Sequence, residues 1–276
     1  MIVAGIATMP ERLPYLEGVV NAIRPQVDVL RVYLNNFDEV PGFLAPDEGC
    51  LSEDAAGDLG AEGKFYWVDD HEKHNFTHYL TVDDDLGYPP DYVARLVEEF
   101  EARDRRAIVG VHGSEFEDPI QDFVTSRKAR YRFYEPLEDA RCVHLLGTAT
   151  TMLSKETISL SMDDFSLRNT TDLQLAITAQ EQAVPMIVVP RSKDWVKEVR
   201  PWTAEGFSIW KSTKTEGHSQ LKTRLAQTAI KQWQLHPDPL GEPEKKELSG
   251  SLAQKIIGAA LIDTEISGAT LATELE

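Results

Sequence analysis

Tyr79-Leu80-Thr81-Val82-Asp83-Asp84-Asp85-Leu86-Gly87-Tyr88-Pro89-Pro90-Asp91-Tyr92 passes from apolar to ionic in a single step. Thr77 to Val82 reads as a strand, rich in aromatic and β-branched residues. It delivers three adjacent carboxylates that repel one another, so a fold would not place them together without compensation. A divalent cation supplies it, because Mg²⁺ and Mn²⁺ take hard oxygen ligands and bring substrate phosphates with them. A solvated acidic turn at a strand end is the plain alternative. Pro89-Pro90-Asp91 then opens a helix, with prolines in its first turn and an acid at its positive end. Tyr92, Val93, Leu96, Val97 and Phe100 give that helix its buried stripe.

Upstream, Ile2 to Ala7 is a short β-type run, followed by Thr8-Met9-Pro10-Glu11-Arg12 and by Leu13, Leu16, Val19, Val20 and Ile23 at helical spacing. Strand, loop and helix make the opening of an α/β unit, and ligands meet such sheets at the carboxyl ends of strands. Thr8 and Arg12 stand there. The competing reading makes Thr8 a helix cap and Arg12 a surface charge. Val29 to Leu34 is a second strand ending at Asn35-Asn36, followed by a loop from Phe37 to about Glu53. Asp58 to Gly63 carries glycines suited to tight turns, and Lys64 precedes what reads as an aromatic strand, Phe65 to Val68. Lys64 either reaches a phosphate as a point charge or is solvated in a hairpin turn.

Downstream, Ala107 to Val111 is a buried strand ending at His112-Gly113. Residues 115 to 140 read as a polar connection holding four cations, Arg127, Lys128, Arg130 and Arg132. These either neutralise an anionic substrate or form a solvated face. Val143 to Leu153 reads as two strand pieces pivoting on Gly147, with small hydroxyl side chains at Thr148, Thr150 and Thr151. Asp172 begins a helix, as an N-cap or first-turn acid or as an acid facing a cleft. Pro185 to Pro190 is the last core strand, and a charged, aromatic segment runs from Arg191 to Trp210. Helices are expected from Gln220 to about Leu235 and from Leu248 to about Leu261. Alternating strands and helices predict an α/β fold with a mostly parallel sheet flanked by helices over residues 1–200, and a C-terminal helical appendage over 201–276.

The 276 residues include 46 acidic and 28 basic ones, for a formal charge of −18. That balance disfavours nucleic acid as a partner, since phosphate backbones need Lys/Arg surfaces. Cys50 and Cys142 lie far apart, without metal spacing, and read as free thiols in a reducing compartment. The N-terminus lacks a basic flank and cleavage site, and no apolar run is long enough to span a bilayer. A cytoplasmic protein is expected, one able to act at a membrane surface through an acceptor. The C-terminal helices are a candidate homo-oligomer contact.

Taken together, Gly5-Ile6-Ala7-Thr8-Met9-Pro10-Glu11-Arg12, Gly63-Lys64-Phe65-Tyr66, Leu80-Thr81-Val82-Asp83-Asp84-Asp85, Tyr88-Pro89-Pro90-Asp91-Tyr92, Leu146-Gly147-Thr148 and Asp172-Leu173-Gln174-Leu175-Ala176 resemble, in this order, a nucleotide-sugar glycosyltransferase of the GT-A fold, close to glycosyltransferase family 2. The likeness covers roughly residues 1 to 195. It implies a UDP-sugar donor, with Mn²⁺ or Mg²⁺ bridging its diphosphate. Asp83 and Asp85 then take the metal, and Thr8, Arg12, Asp58, Lys64, Asp84, Gly147 and Thr148 line the nucleotide-sugar pocket. Asp172 takes the place of the general base toward a glycan, glycolipid or other hydroxyl acceptor, although Thr171 stands where many relatives have an acid. His218 is the candidate for a C-terminal metal histidine, against a solvated histidine in a polar loop. Direct attack by the activated acceptor implies inversion. Two other readings compete: a sugar-phosphate nucleotidyltransferase, which would normally carry a glycine-rich loop after the first strand, and a non-catalytic carbohydrate-binding protein.

Overall fold

The computed structural model describes residues 1–46, 48–51, 57–69, 76–199 and 216–241. The helix expected over Leu248 to Leu261, the far part of the segment ending at Trp210 and the side chain of Cys50 lie outside the described residues. Cys142 is a free thiol.

The chain alternates strand and helix. β1 (Ile2–Thr8) passes through a short turn, Pro10–Arg12, into α1 (Leu13–Ile23), then β2 (Val29–Leu34) and the short edge strand β3 (Gly49–Leu51). A 3₁₀ segment, Gly60–Phe65, precedes β4 (His78–Val82), β5 (Leu86–Gly87) and α2 (Tyr92–Ala102). β6 (Ile108–Gly110), β7 (Gly113–Phe116), β8 (Arg127–Tyr131), β9 (Arg141–Val143), β10 (Leu145–Leu146) and β11 (Thr150–Leu153) follow. α3 (Thr171–Glu181), β12 (Met186–Val188), β13 (Lys197–Glu198) and α4 (Glu216–Ala229) complete the described elements.

The main sheet runs β3-β2-β1-β4-β11-β6-β12-β9. β3, β2, β1 and β4 are mutually parallel, β12 is parallel to β6, and β11 and β9 run against their neighbours. This is the mixed α/β architecture, with a mostly parallel central sheet flanked by helices, that the alternation predicts. Side chains divide between its faces with a period of two. Ala4, Ile6, Leu80, Val82 and Ile187 pack with α1 and α2 on one face. Val3, Tyr79, Met186 and Val188 pack with Phe65, Trp67, α3 and Trp233 on the other. The buried residues of α1 and α2 follow the predicted stripes, except that Leu13 is exposed and Val97 half-buried.

Three expectations are corrected. Phe65 to Val68 is a turn rather than a strand, with Tyr66 and Val68 amides bonded to the carbonyls of Gly63 and Phe65 at 3.1 and 2.8 Å. Aromatic content mimics a strand here, but its cause is ring packing, with Phe65 stacked on Phe165 at 4.2 Å. The polar 115–140 region contains β7 and β8, antiparallel partners in a second sheet ordered β10-β7-β8. β8 reads as connection in the sequence because its chain of charges hides the alternation of half-buried and exposed residues. The C-terminal helix is α4, which begins earlier than expected and stops at Ala229, because Trp233 turns back into the core. Its indole donates to the Ala226 carbonyl at 3.1 Å and its backbone amide to Asp118 at 3.3 Å. Among the described residues no helix is long and apolar enough to cross a membrane.

Gly5 sets how closely the Gly60–Phe65 segment approaches the sheet. A Cβ at Gly5 would stand 2.1 Å from the Lys64 carbonyl oxygen and 2.8 Å from the Tyr79 hydroxyl. Gly5→Ala is expected to cost about 1–3 kcal/mol or more in urea unfolding, because backbone must move to admit the methyl. Gly18→Ala, in mid-α1 with nothing within 4 Å of the new Cβ, should instead gain roughly 0.5–1 kcal/mol from helix propensity.

Candidate active site

The register of the two central strands builds the first half of the site. β1 and β4 are parallel, with Ile6 opposite Val82. Two residues further along, Thr8 therefore stands level with Asp84. The chain leaves β1 toward β2 on one side, while β4 lies on the other, so the two carboxyl ends meet at a topological switch point, where open α/β sheets take ligands.

Asp84 is buried, at 4 % exposure, and both of its oxygens are used. Oδ2 accepts from Thr8 Oγ1 at 2.6 Å and Oδ1 from Arg12 Nη1 at 2.7 Å. The same Arg12 nitrogen donates to Asp85 Oδ2 at 2.6 Å. Lys64, 3 % exposed, is paired with Asp83. Burial pushes Asp84 up to about 6, against the pull of Arg12 and Thr8. Asp85 is raised by burial first and by the charge of Asp83 second. The Lys64 ammonium is held in its charged form by Asp83, with Asp172 and Asp84 assisting, in spite of its burial.

The triplet's compensation thus comes in part from the protein itself, through Arg12 and Lys64, which a reading of the acids in isolation does not count. Asp84 has a structural task, with one strong donor on each oxygen. Thr8 is likewise committed: its hydroxyl reaches Asp84, and the turn after it has no side-chain cap. Asp83 Oδ2 and Asp85 Oδ1, by contrast, make no hydrogen bond among the described residues. A hard cation carrying phosphate and water oxygens needs only one or two protein carboxylates, and this pair of carboxylates fits that demand. His218 does not join them. It lies on α4, half-buried, hydrogen-bonded with the Asn169 backbone and subject to the charge of Lys222. Among the described residues no group of three or more His, Cys, Asp or Glu side chains is arranged to hold a metal ion.

The backbone under the triplet is fixed from two sides. Tyr88 accepts from the Asp83 amide at 2.8 Å and donates to the Ala149 carbonyl at 2.8 Å, joining β4's end to the start of β11. Asn35, 2 % exposed, accepts from the amides of Leu59 and Gly60 at 2.9 and 3.0 Å, and donates to the carbonyls of Thr8 and Gly60 at 3.1 and 3.0 Å. It ties the Asp58–Gly60 turn to the end of β1. Asp58 sits at the rim, accepting from Asn36 at 2.9 Å and Arg168 at 2.5 Å, and is held below the usual carboxylate range by these bonds despite partial burial.

The second half is Asp172, in the first turn of α3. Its Oδ1 accepts from the Thr148 amide at 2.8 Å and the Thr148 hydroxyl at 2.6 Å, leaving Oδ2 free of hydrogen bonds among the described residues. Thr148 is thereby a positioning residue for Asp172, its donors spent on that carboxylate. Gly147 lets this turn lie against His112, whose ring a Cβ would meet at 3.0 Å. Glu62, 2 % exposed, anchors the start of α3 by accepting from the Thr170 amide at 3.0 Å and the Thr171 hydroxyl at 3.1 Å. Thr171 therefore serves the helix start. The charge of Asp172 acts on Lys64, His112, Arg127 and Lys222. Lys64 is the cation on which carboxylates of both halves act.

Asn35, Glu62, Tyr88, Arg168 and Lys222 were not among the predicted site residues. Asn35 ends a predicted strand and Tyr88 belongs to the opening motif, so both carried a signal. Glu62, Arg168 and Lys222 reach the site from distant sequence and carried none. Comparison with protein-family models and with curated proteins finds no match.

Two outcomes are expected. Asp84→Ala strands the buried Arg12 guanidinium with a single carboxylate and should cost about 3–5 kcal/mol in chemical unfolding. Asp83→Asn takes the carboxylate away from the buried Lys64 ammonium and should likewise be costly, about 3 kcal/mol or more. The His112 imidazole is pushed down to about 4, by burial first, with Asp172 opposing and Arg127, Arg191 and Arg132 adding to the effect. The unfolded chain, with a histidine value near 6.5, binds this proton before the folded one does. The stability His112 contributes is complete above that value and is lost as pH falls toward 4. Thermal midpoints across this window should fall less steeply in His112→Asn than in the native protein.

Proposed function

We propose that the protein is a metal-assisted, inverting glycosyltransferase of GT-A type, moving a sugar from a nucleotide-sugar donor, a UDP-sugar by preference, to an acceptor hydroxyl. One observation carries this reading. An acid cluster in which Asp83 and Asp85 each keep one unbonded oxygen, and a separate carboxylate, Asp172, whose free oxygen is aimed by a threonine, both act on one buried ammonium, Lys64.

The division of labour follows from the chemistry. Asp83 and Asp85 would hold a divalent ion against the donor diphosphate, and that ion would neutralise the charge developing on the leaving group. Arg12 and Lys64 keep the carboxylates oriented. Asp172 Oδ2 takes the proton from the acceptor hydroxyl as its oxygen attacks the anomeric carbon. The bond from that carbon to the diphosphate breaks, and its electron pair leaves with the nucleoside diphosphate. Attack opposite the leaving group inverts the anomeric centre.

The test is a thermal-shift screen of nucleotide sugars with and without Mn²⁺, since a ligand of the native state raises the midpoint. A UDP-sugar is expected to raise it in the presence of the ion. Asp85→Asn should abolish the metal-dependent part of the shift; an unaltered shift removes the metal assignment. Asp172→Asn should keep the shift while transfer slows by about 10²–10⁴-fold. Release of pyrophosphate from a nucleoside triphosphate and a sugar phosphate would replace this reading with a nucleotidyltransferase. No response to any nucleotide sugar would favour a non-catalytic protein.

A further inference from the structure

Most described arginines of this acidic protein have a carboxylate at hand. Arg12, Arg24, Arg103, Arg105 and Arg168 each pair within 3.5 Å. Arg127 and Lys222 are among the exceptions. Among the described residues neither has an ion-pair partner, although both are half-buried and the chain has 46 acidic residues to offer. The Arg127 Nε is buried without a hydrogen-bond partner.

They are brought together deliberately by the fold. Arg127 begins β8, opposite Phe116 on β7. Lys222 lies on α4. Both cations flank one ring: Arg127 Cζ is 5.0 Å and Lys222 Nζ 5.7 Å from the centre of Phe123. The Phe123 amide donates to Thr223 Oγ1 at 3.0 Å and Gln227 donates to the Ile120 carbonyl at 2.9 Å, which laces α4 to the loop that carries the ring. Phe123 supplies a π face to both cations, worth far less than an ion pair. Burial lowers the pKa of each, Arg127 lowers that of Lys222 further, and Asp172 opposes the shift in both. Two like charges gathered on one ring in partial burial form a site short of negative charge. Asp172 does not close it, because its bonded oxygen belongs to Thr148 and neither cation is within ion-pair distance.

Resting on the glycosyltransferase reading, we propose that Arg127 and Lys222 form an anion subsite for the acceptor, which carries a phosphate near the hydroxyl that Asp172 deprotonates. Position favours the acceptor over the donor. The carboxylates that act on these cations are Asp172 and Glu62, whereas those of the triplet act on Lys64 and Arg12. Phosphate suits the pair better than carboxylate: a planar guanidinium and a compact ammonium match a group with several oxygens and up to two charges.

The experiment uses glycerol phosphate as the probe, titrated into the full-length protein by calorimetry, with glycerol as the uncharged control. The native protein should bind glycerol phosphate and not glycerol. Arg127→Gln and Lys222→Gln should each weaken binding by about tenfold or more, while Lys222→Arg retains it and all variants keep the nucleotide-sugar thermal shift. No binding by the native protein, or equal binding by both glutamine variants, overturns the subsite. Loss of the nucleotide-sugar shift in the same variants overturns the acceptor assignment and gives the cations to the donor diphosphate. A native protein that binds glycerol phosphate but responds to no nucleotide sugar retains the anion site and overturns its link to transfer. Sedimentation with phosphatidylcholine vesicles, with and without phosphatidylglycerol, separates the phosphate's sources. Retention that needs Arg127 and Lys222 assigns it to a lipid headgroup, and none assigns it to a soluble acceptor.

Discussion

The buried carboxylate of Asp84 is the tie on which the site depends. It joins the end of β1, through Thr8, to the end of β4, and it draws Arg12 inward from the following turn. A carboxylate in that position is stable only if both oxygens are satisfied by strong donors, and here they are. Once Asp84 and Arg12 are fixed, Asp85 is fixed by the same guanidinium and Asp83 by Lys64. The middle acid of the triplet is thus structural, and each of the outer two keeps one oxygen without a hydrogen bond among the described residues. Repulsion among three neighbouring acids is what makes the arrangement informative: it forces two cations out of the bulk and into defined places.

The cations of this chain are distributed with the same economy. Against a charge of −18, most arginines are consumed by nearby carboxylates. Lys64 is consumed too, by Asp83 at the end of β4, and it also feels Asp172. Arg127 and Lys222 have no carboxylate within ion-pair distance among the described residues, and the charge of Asp172 acts on both. One carboxylate thus acts on a lysine that is already paired and on two cations that are not. The proposed chemistry uses that asymmetry, with the leaving group at one end and the acceptor at the other.

Much of this was legible in the sequence, and the reason differs by region. The central strands and α1 and α2 announce themselves because burial against a sheet imposes periods of two and 3.6 on apolar residues, and those periods survive in one dimension. The Gly147–Thr148 turn and the Asp172 helix start were readable as small hydroxyl residues and an early acid. β8 was not, since its charges conceal a strand. The aromatic run at Phe65 to Val68 was misleading, because rings that pack on one another look like rings that line a strand.

The sequence by itself determined the alternating α/β order, the placement of three acids at a strand end and of one acid at a helix start. Those are local facts, set by propensity, periodicity and charge along a few residues. Only the tertiary structure decided which acid is spent on Thr8 and Arg12, that Lys64 feels both the triplet and Asp172, and that Lys222 and Arg127 share the ring of Phe123. These are pairings between residues far apart in the chain. They depend on strand register and on the close approach that Gly5 permits, and neither leaves a trace in the order of amino acids.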